Sequence, residues 1–200
     1  MKIKNRIGVG LTFGAKAVAA LALAAFVHSS EAKASPAVSP RSLDDSQIVD
    51  YVLDVNQAEL AAADATTGKL AAVPVWELAL RMRVDHSDLE RKFRSLEIAP
   101  EDSQISQQVT TGSEKTVARL RELTGRDLEK AYLDNEIRFH KSLLAALDDT
   151  LLPSAKNDKL KVRLAELRAE AAAHLDHAEY IRILRTQRAD IDKEITSSGP

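Results

Sequence analysis

Three histidines stand where a helical heptad would place an apolar residue. His86 falls in the series Val75, Ala79, Met82, His86, Leu89, Phe93, Leu96. His140 falls in Leu133, Ile137, His140, Leu144, Leu147, Leu151, and His174 in Leu160, Leu164, Leu167, Ala171, His174, Ala178, Ile181. Each series alternates steps of three and four residues, the spacing of a seam that faces a bundle core. A fourth series, Ile48, Val52, Val55, Glu59, Ala62, Thr66, carries a glutamate at its middle. Imidazole and carboxylate groups gathered between facing helices can hold Fe, Mn, Zn or Cu. Glu59, His86, His140 and His174 are therefore the candidate metal ligands. Glu90 lies four residues after His86, while Glu136 and Glu170 lie four before His140 and His174, about one helical turn away. With His177, they form a secondary set. The same spacing also fits a polar layer held by hydrogen bonds alone, which would fix helix register without any metal.

These side chains meet only if four long helices hold them at one height. The periodicity predicts helices over residues 44–70, 74–96, 126–151 and 157–188. Glu59 stands 14 residues before Val73 and His86 stands 13 after it. His140 stands 13 before Pro153 and His174 stands 21 after it, the loosest match. The first and last links are short and imply antiparallel hairpins, while the middle link is long enough to cross the bundle. The expected fold is all-α, a ferritin-like antiparallel four-helix bundle whose long connection contains a short extra helix over 113–123. No alternating run rich in Val, Ile and Thr signals a strand.

Lys2, Lys4, Arg6 and Lys16 precede or interrupt an apolar N-terminus whose uninterrupted run, residues 17–27, is 11 long. Ala32-Lys33-Ala34 then offers the small-x-small form that signal peptidase accepts. Residues 1–34 thus read as a cleavable signal, 35–43 as a Pro- and Ser-containing leader, 44–190 as the bundle and 191–200 as a flexible tail. Cleavage after Ala34 would leave 23 bases against 29 acids, a net charge of −6. The expected location is the periplasm, with no integral membrane span left after cleavage. A mildly acidic chain gives no reason to expect nucleic acid. The expected partners are other copies of the chain or an envelope protein. There is no cysteine, so thiolate chemistry is excluded. There is likewise no Gly-rich phosphate loop, nucleophile elbow or His-Glu-x-x-His zinc motif. An exported, non-enzymatic envelope or stress-related binding protein is the first functional expectation. Metal storage or a metal oxidoreductase is the alternative.

Several short pieces resemble the bacterial domain-of-unknown-function family 4142. They are Asn56-Gln57-Ala58-Glu59, Met82-Arg83-Val84-Asp85-His86, the stretch Leu123-Thr124-Gly125-Arg126-Asp127-Leu128-Glu129-Lys130-Ala131-Tyr132, His140, and His174-Leu175. The family usually shows Phe-Asp after the glycine turn, where this chain has Leu128-Glu129. The resemblance spans about residues 45–185 and implies export and a ferritin-like bundle. It implies no settled activity. The di-iron signature of such bundles, Glu-x-x-His, is absent from this sequence.

Overall fold

The computed structural model describes residues 43–197. The signal, nearly all of the leader and the last three residues lie outside that range. Within it the chain is helical and contains no strand. The elements are α1 (Asp45–Thr67), α2 (Val73–Arg94), α3 (Gln104–Glu122), α4 (Gly125–Ala146), a π-helical turn (Leu147–Leu151), α5 (Leu152–Ser154) and α6 (Asp158–Ser197).

Local signals start and stop these helices. The Asp44 carboxylate accepts the Gln47 N–H at 2.9 Å, and the Gln47 side chain accepts the Asp44 N–H at 3.3 Å. This reciprocal cap satisfies two donors that an isolated helix end leaves bare. Pro74 sits in the first turn of α2, where its missing N–H costs nothing. The side chain of Glu129 in α4 accepts the Ala72 N–H at 2.7 Å and pairs with Arg185 of α6 at 2.6 Å. One carboxylate thereby ties the α1–α2 turn, α4 and α6 together. At the other end Asp45 accepts the backbone N–H groups of Lys156 and Asn157 at 2.8 and 3.0 Å.

Two buried apolar clusters lie end to end, and the order in which each helix visits them gives its direction. α1 supplies Ile48, Val52 and Val55 to the first cluster, then Ala62 and Ala63 to the second. α2 runs the opposite way, from Val75, Leu78 and Met82 to Leu89 and Phe93. α4 also runs from second to first, Tyr132 and Ile137 preceding Leu143, and α6 returns from Leu160 and Leu167 to Ala178 and Ile181. α1 with α2, and α4 with α6, are therefore antiparallel pairs, as expected.

The long connection departs from expectation. The sequence predicts polar chain with a short helix over 113–123, yet α3 begins at Gln104 and carries the chain back along the bundle against α1. Ser103 and Ser106 cap its start reciprocally, with the Ser106 N–H reaching Ser103 Oγ at 3.2 Å. Ile105 and Val109 pack on the first cluster and Leu120 lies in the second. The fourth predicted helix also runs further. α6 continues to Ser197, where residues 191–200 were read as a flexible tail. Arg188 pairs with Asp192 at 3.2 Å across one turn of this extension.

Candidate metal centre

The two apolar clusters are separated on each of four helices by the polar residue that interrupts its seam. Glu59 lies between Val55 and Ala62, His86 between Met82 and Leu89, His140 between Ile137 and Leu143, and His174 between Ala171 and Ala178. The common height expected from the sequence is thus met. All four side chains are buried, at 1%, 3%, 1% and 5% exposure in that order. The imidazole rings form a triangle with centroids 6.2 Å apart for His86–His140, 5.7 Å for His86–His174 and 5.3 Å for His140–His174.

Each ring is held by a hydrogen bond that leaves its other nitrogen with a lone pair. His86 Nδ1 donates to the side-chain oxygen of Asn56 at 2.9 Å, and His140 Nδ1 donates to the Glu136 carbonyl at 2.9 Å. His174 Nε2 donates to Asp85 Oδ2, also at 2.9 Å. His86 Nε2 and His140 Nε2 are buried without a hydrogen-bond partner, and His174 retains Nδ1. One nitrogen from each ring lies within 4.8 Å of the other two. A tetrahedral zinc site with Zn–N bonds of 2.0–2.1 Å requires ligand atoms about 3.3 Å apart, so modest side-chain rotation closes the set. A cavity of about 10 Å³ adjoins the rings, at the lower edge of the space one water occupies. Leu89, Leu143 and Leu167 wall it, while Asp85 and Glu170 line it with the rings.

The secondary candidates separate. Glu136 is buried beside the cluster, and its carboxylate forms a second convergent group with Glu59 and His140, ligand atoms again within 4.8 Å. Glu170 is half-buried and pairs with Lys92 at 3.2 Å. Glu90 turns away and pairs with Arg94 at 2.8 Å. His177 is half-buried and belongs to neither convergent group, although its Nδ1 lacks a partner. Asn56 and Asp85, which orient two of the rings, had no role assigned from sequence. Both lie in pieces that carry the family resemblance, and Asp85 immediately precedes His86.

Burial decides the protonation states. Desolvation holds the His86 imidazole well below its ordinary pKa, helped by the nearby His140 and His174, and it lowers His140 as well. Both rings are therefore neutral and able to ligate. Glu59 is pushed well above the ordinary carboxyl range, first by burial, then by the charge of Glu136 and a hydrogen bond to it. Glu136 is also raised by burial, with His140, Glu59, Tyr132 and Asn135 opposing the shift. Burial and the neighbouring Glu136 carboxyl therefore favour the protonated form of Glu59.

That proton has a thermodynamic consequence. A group whose folded pKa is raised contributes fully below its unfolded value, here 4.5, and the contribution is lost as pH climbs toward the folded value. Glu59→Gln needs no proton and can donate its amide N–H to Glu136. In metal-free protein it should stabilise by about 1–3 kcal/mol at pH 7, with a gain that shrinks as pH falls toward 4.5. Denaturant midpoints at pH 7 and pH 5 measure this, and destabilisation at pH 7 would contradict a protonated Glu59.

Fold and site together define an all-α bundle with a buried imidazole–carboxylate layer at mid-height. The chain belongs to the family described as a domain of unknown function, DUF4142, whose model matches residues 28–181. No curated protein and no solved structure matches it.

Proposed function

We propose that this is an exported, periplasmic bundle protein of ferritin-like architecture that binds a divalent transition-metal ion through His86, His140 and His174. The observation that carries this reading is the set of three convergent imidazoles, two with buried orphan nitrogens, each oriented by an outer hydrogen bond. Outer partners that fix the tautomer and ring angle are the usual company of metal-bound histidine. Three imidazoles favour Zn, Cu or Fe over Mg or Ca. Glu170, paired with Lys92, lines the same cavity. Among the described residues no helix is long and apolar enough to cross a membrane.

Metal analysis of protein purified from its native envelope fraction tests the reading, followed by titration of chelator-treated protein with Zn, Cu, Fe and Mn. One tightly held equivalent is expected. Metal-free native protein that stays empty after loading would refute it. Asp85→Ala removes the acceptor that positions His174 without touching a ligand. It should weaken metal binding 10–100-fold in a competition assay, while ligand deletion should cost more.

A further inference from the structure

The convergent groups at mid-bundle are two foci rather than one. His86, His140 and His174 gather within 4.8 Å, and so do Glu59, Glu136 and His140, yet neither glutamate joins the first set and neither His86 nor His174 joins the second. The five side chains thus fall into two sets that share only His140. The three imidazoles use up the lone pairs of the first focus. The second retains four carboxylate oxygens, all buried and none receiving a hydrogen bond from a conventional donor. No lysine or arginine pairs with either glutamate among the described residues, whereas Glu90, Glu129, Glu170 and Glu179 all have such partners. A buried carboxyl pair whose charged neighbour is the His140 ring alone, 3.8 Å from Glu136 Oε2, is balanced by a proton or by a cation.

The two foci also open on different sides. The histidine cavity lies among α2, α4 and α6. Glu59 instead lines a groove of about 240 Å³ between α1, α3 and α4, bordered by Gln108, Gly112, Asn135 and Arg138. α3, of which the sequence revealed only the second half, is one wall of this groove. An ion could thus enter beside Glu59 while the imidazole position is occupied.

We propose that Glu59 and Glu136 form a second metal position, next to the three-histidine site, that takes a hard divalent cation such as Mn²⁺. Its donors are carboxylate oxygens, which suit Mn and Mg, whereas the imidazole focus prefers zinc, which outranks manganese at nitrogen sites. Two carboxylates that give up their proton to an incoming cation also supply negative charge that imidazoles do not. This second position rests on the three-histidine reading and extends it to a dinuclear centre with unlike halves.

The test uses chelator-treated chain loaded with one equivalent of Zn²⁺, then titrated with Mn²⁺ while the free-manganese resonance is followed by electron paramagnetic resonance. The zinc-loaded protein should remove about one further equivalent of Mn²⁺ from solution. The doubly substituted chain, Glu59→Gln with Glu136→Gln, loaded in the same way and checked for native helicity, should remove none. Zinc-loaded protein that ignores Mn²⁺, or a double variant that binds it undiminished, would overturn the second position alone. Failure of the double variant to retain zinc would assign the carboxylates to one shared ion and equally overturn it. Failure of the unsubstituted chain to take zinc at all would remove the three-histidine reading and this one with it.

Discussion

Replacing His140 by leucine should abolish metal binding and leave the metal-free protein as stable as before, or more so. His140 is the ring common to both convergent groups, so its loss should lower zinc affinity by more than the 10–100-fold that follows removal of an orienting partner. The stability result follows from what its hydrogen bond leaves behind. His140 Nδ1 donates to the Glu136 carbonyl, which lies four residues earlier in α4 and already accepts a helical N–H. No buried group is orphaned, and a half-satisfied imidazole is exchanged for an apolar side chain of similar size. Such exchanges are neutral or stabilising. A gain of about 1 kcal/mol would raise Tm by about 2–4 °C in a domain of this size. His86→Leu provides the contrast. It should lose metal equally, but it strands the buried side-chain oxygen of Asn56 and should destabilise by about 1–3 kcal/mol. Calorimetry of both metal-free variants separates the ligand role, which they share, from the structural role, which they do not. Equal destabilisation of the two would contradict the hydrogen-bond assignment.

The seam histidines were legible because heptad spacing and link length fix both the face and the height of a residue. The loose match of His174 disappears once the true helix ends are used. His140 stands 14 residues before Ser154, and His174 stands 16 after Asp158. The residues that spoil a count made about Pro153 alone lie in the link between those ends. The secondary carboxylates were harder to rank. Four residues turn about 40° past a full helical turn, so a neighbour at that spacing can fall inside or outside the seam. Glu136 falls inside, Glu170 beside the cavity and Glu90 outside. Asn56 and Asp85 reach their histidines from neighbouring helices, a relation that no single helix's period contains. The first half of α3 escaped because polar Ser106 fills a fully buried position and makes its bonds locally with Asp102 and Ser103. Hydropathy therefore shows a gap where the packing has none.

Zinc at a thousand times its Kd should raise the thermal midpoint of the chelator-treated protein by about 8–16 °C. A ligand that binds only the folded chain stabilises it by RT ln(1 + [L]/Kd), about 4.1 kcal/mol at that excess. Each kcal/mol moves Tm by about 2–4 °C in a domain of this size. The effect should be global rather than confined to one helix. The three rings belong to α2, α4 and α6, which draw on both hairpins, and the site lies between the two apolar clusters. The unfolded chain spreads His86, His140 and His174 over 89 residues and has no site of comparable affinity. Scanning calorimetry across a zinc series should show one transition, gaining about 1.4 kcal/mol per tenfold rise in free metal above Kd. The shift should vanish in His140→Leu and return to baseline on adding chelator. A zinc response of equal size in that variant would place binding elsewhere on the molecule, because the mid-bundle layer cannot gather three nitrogens without His140.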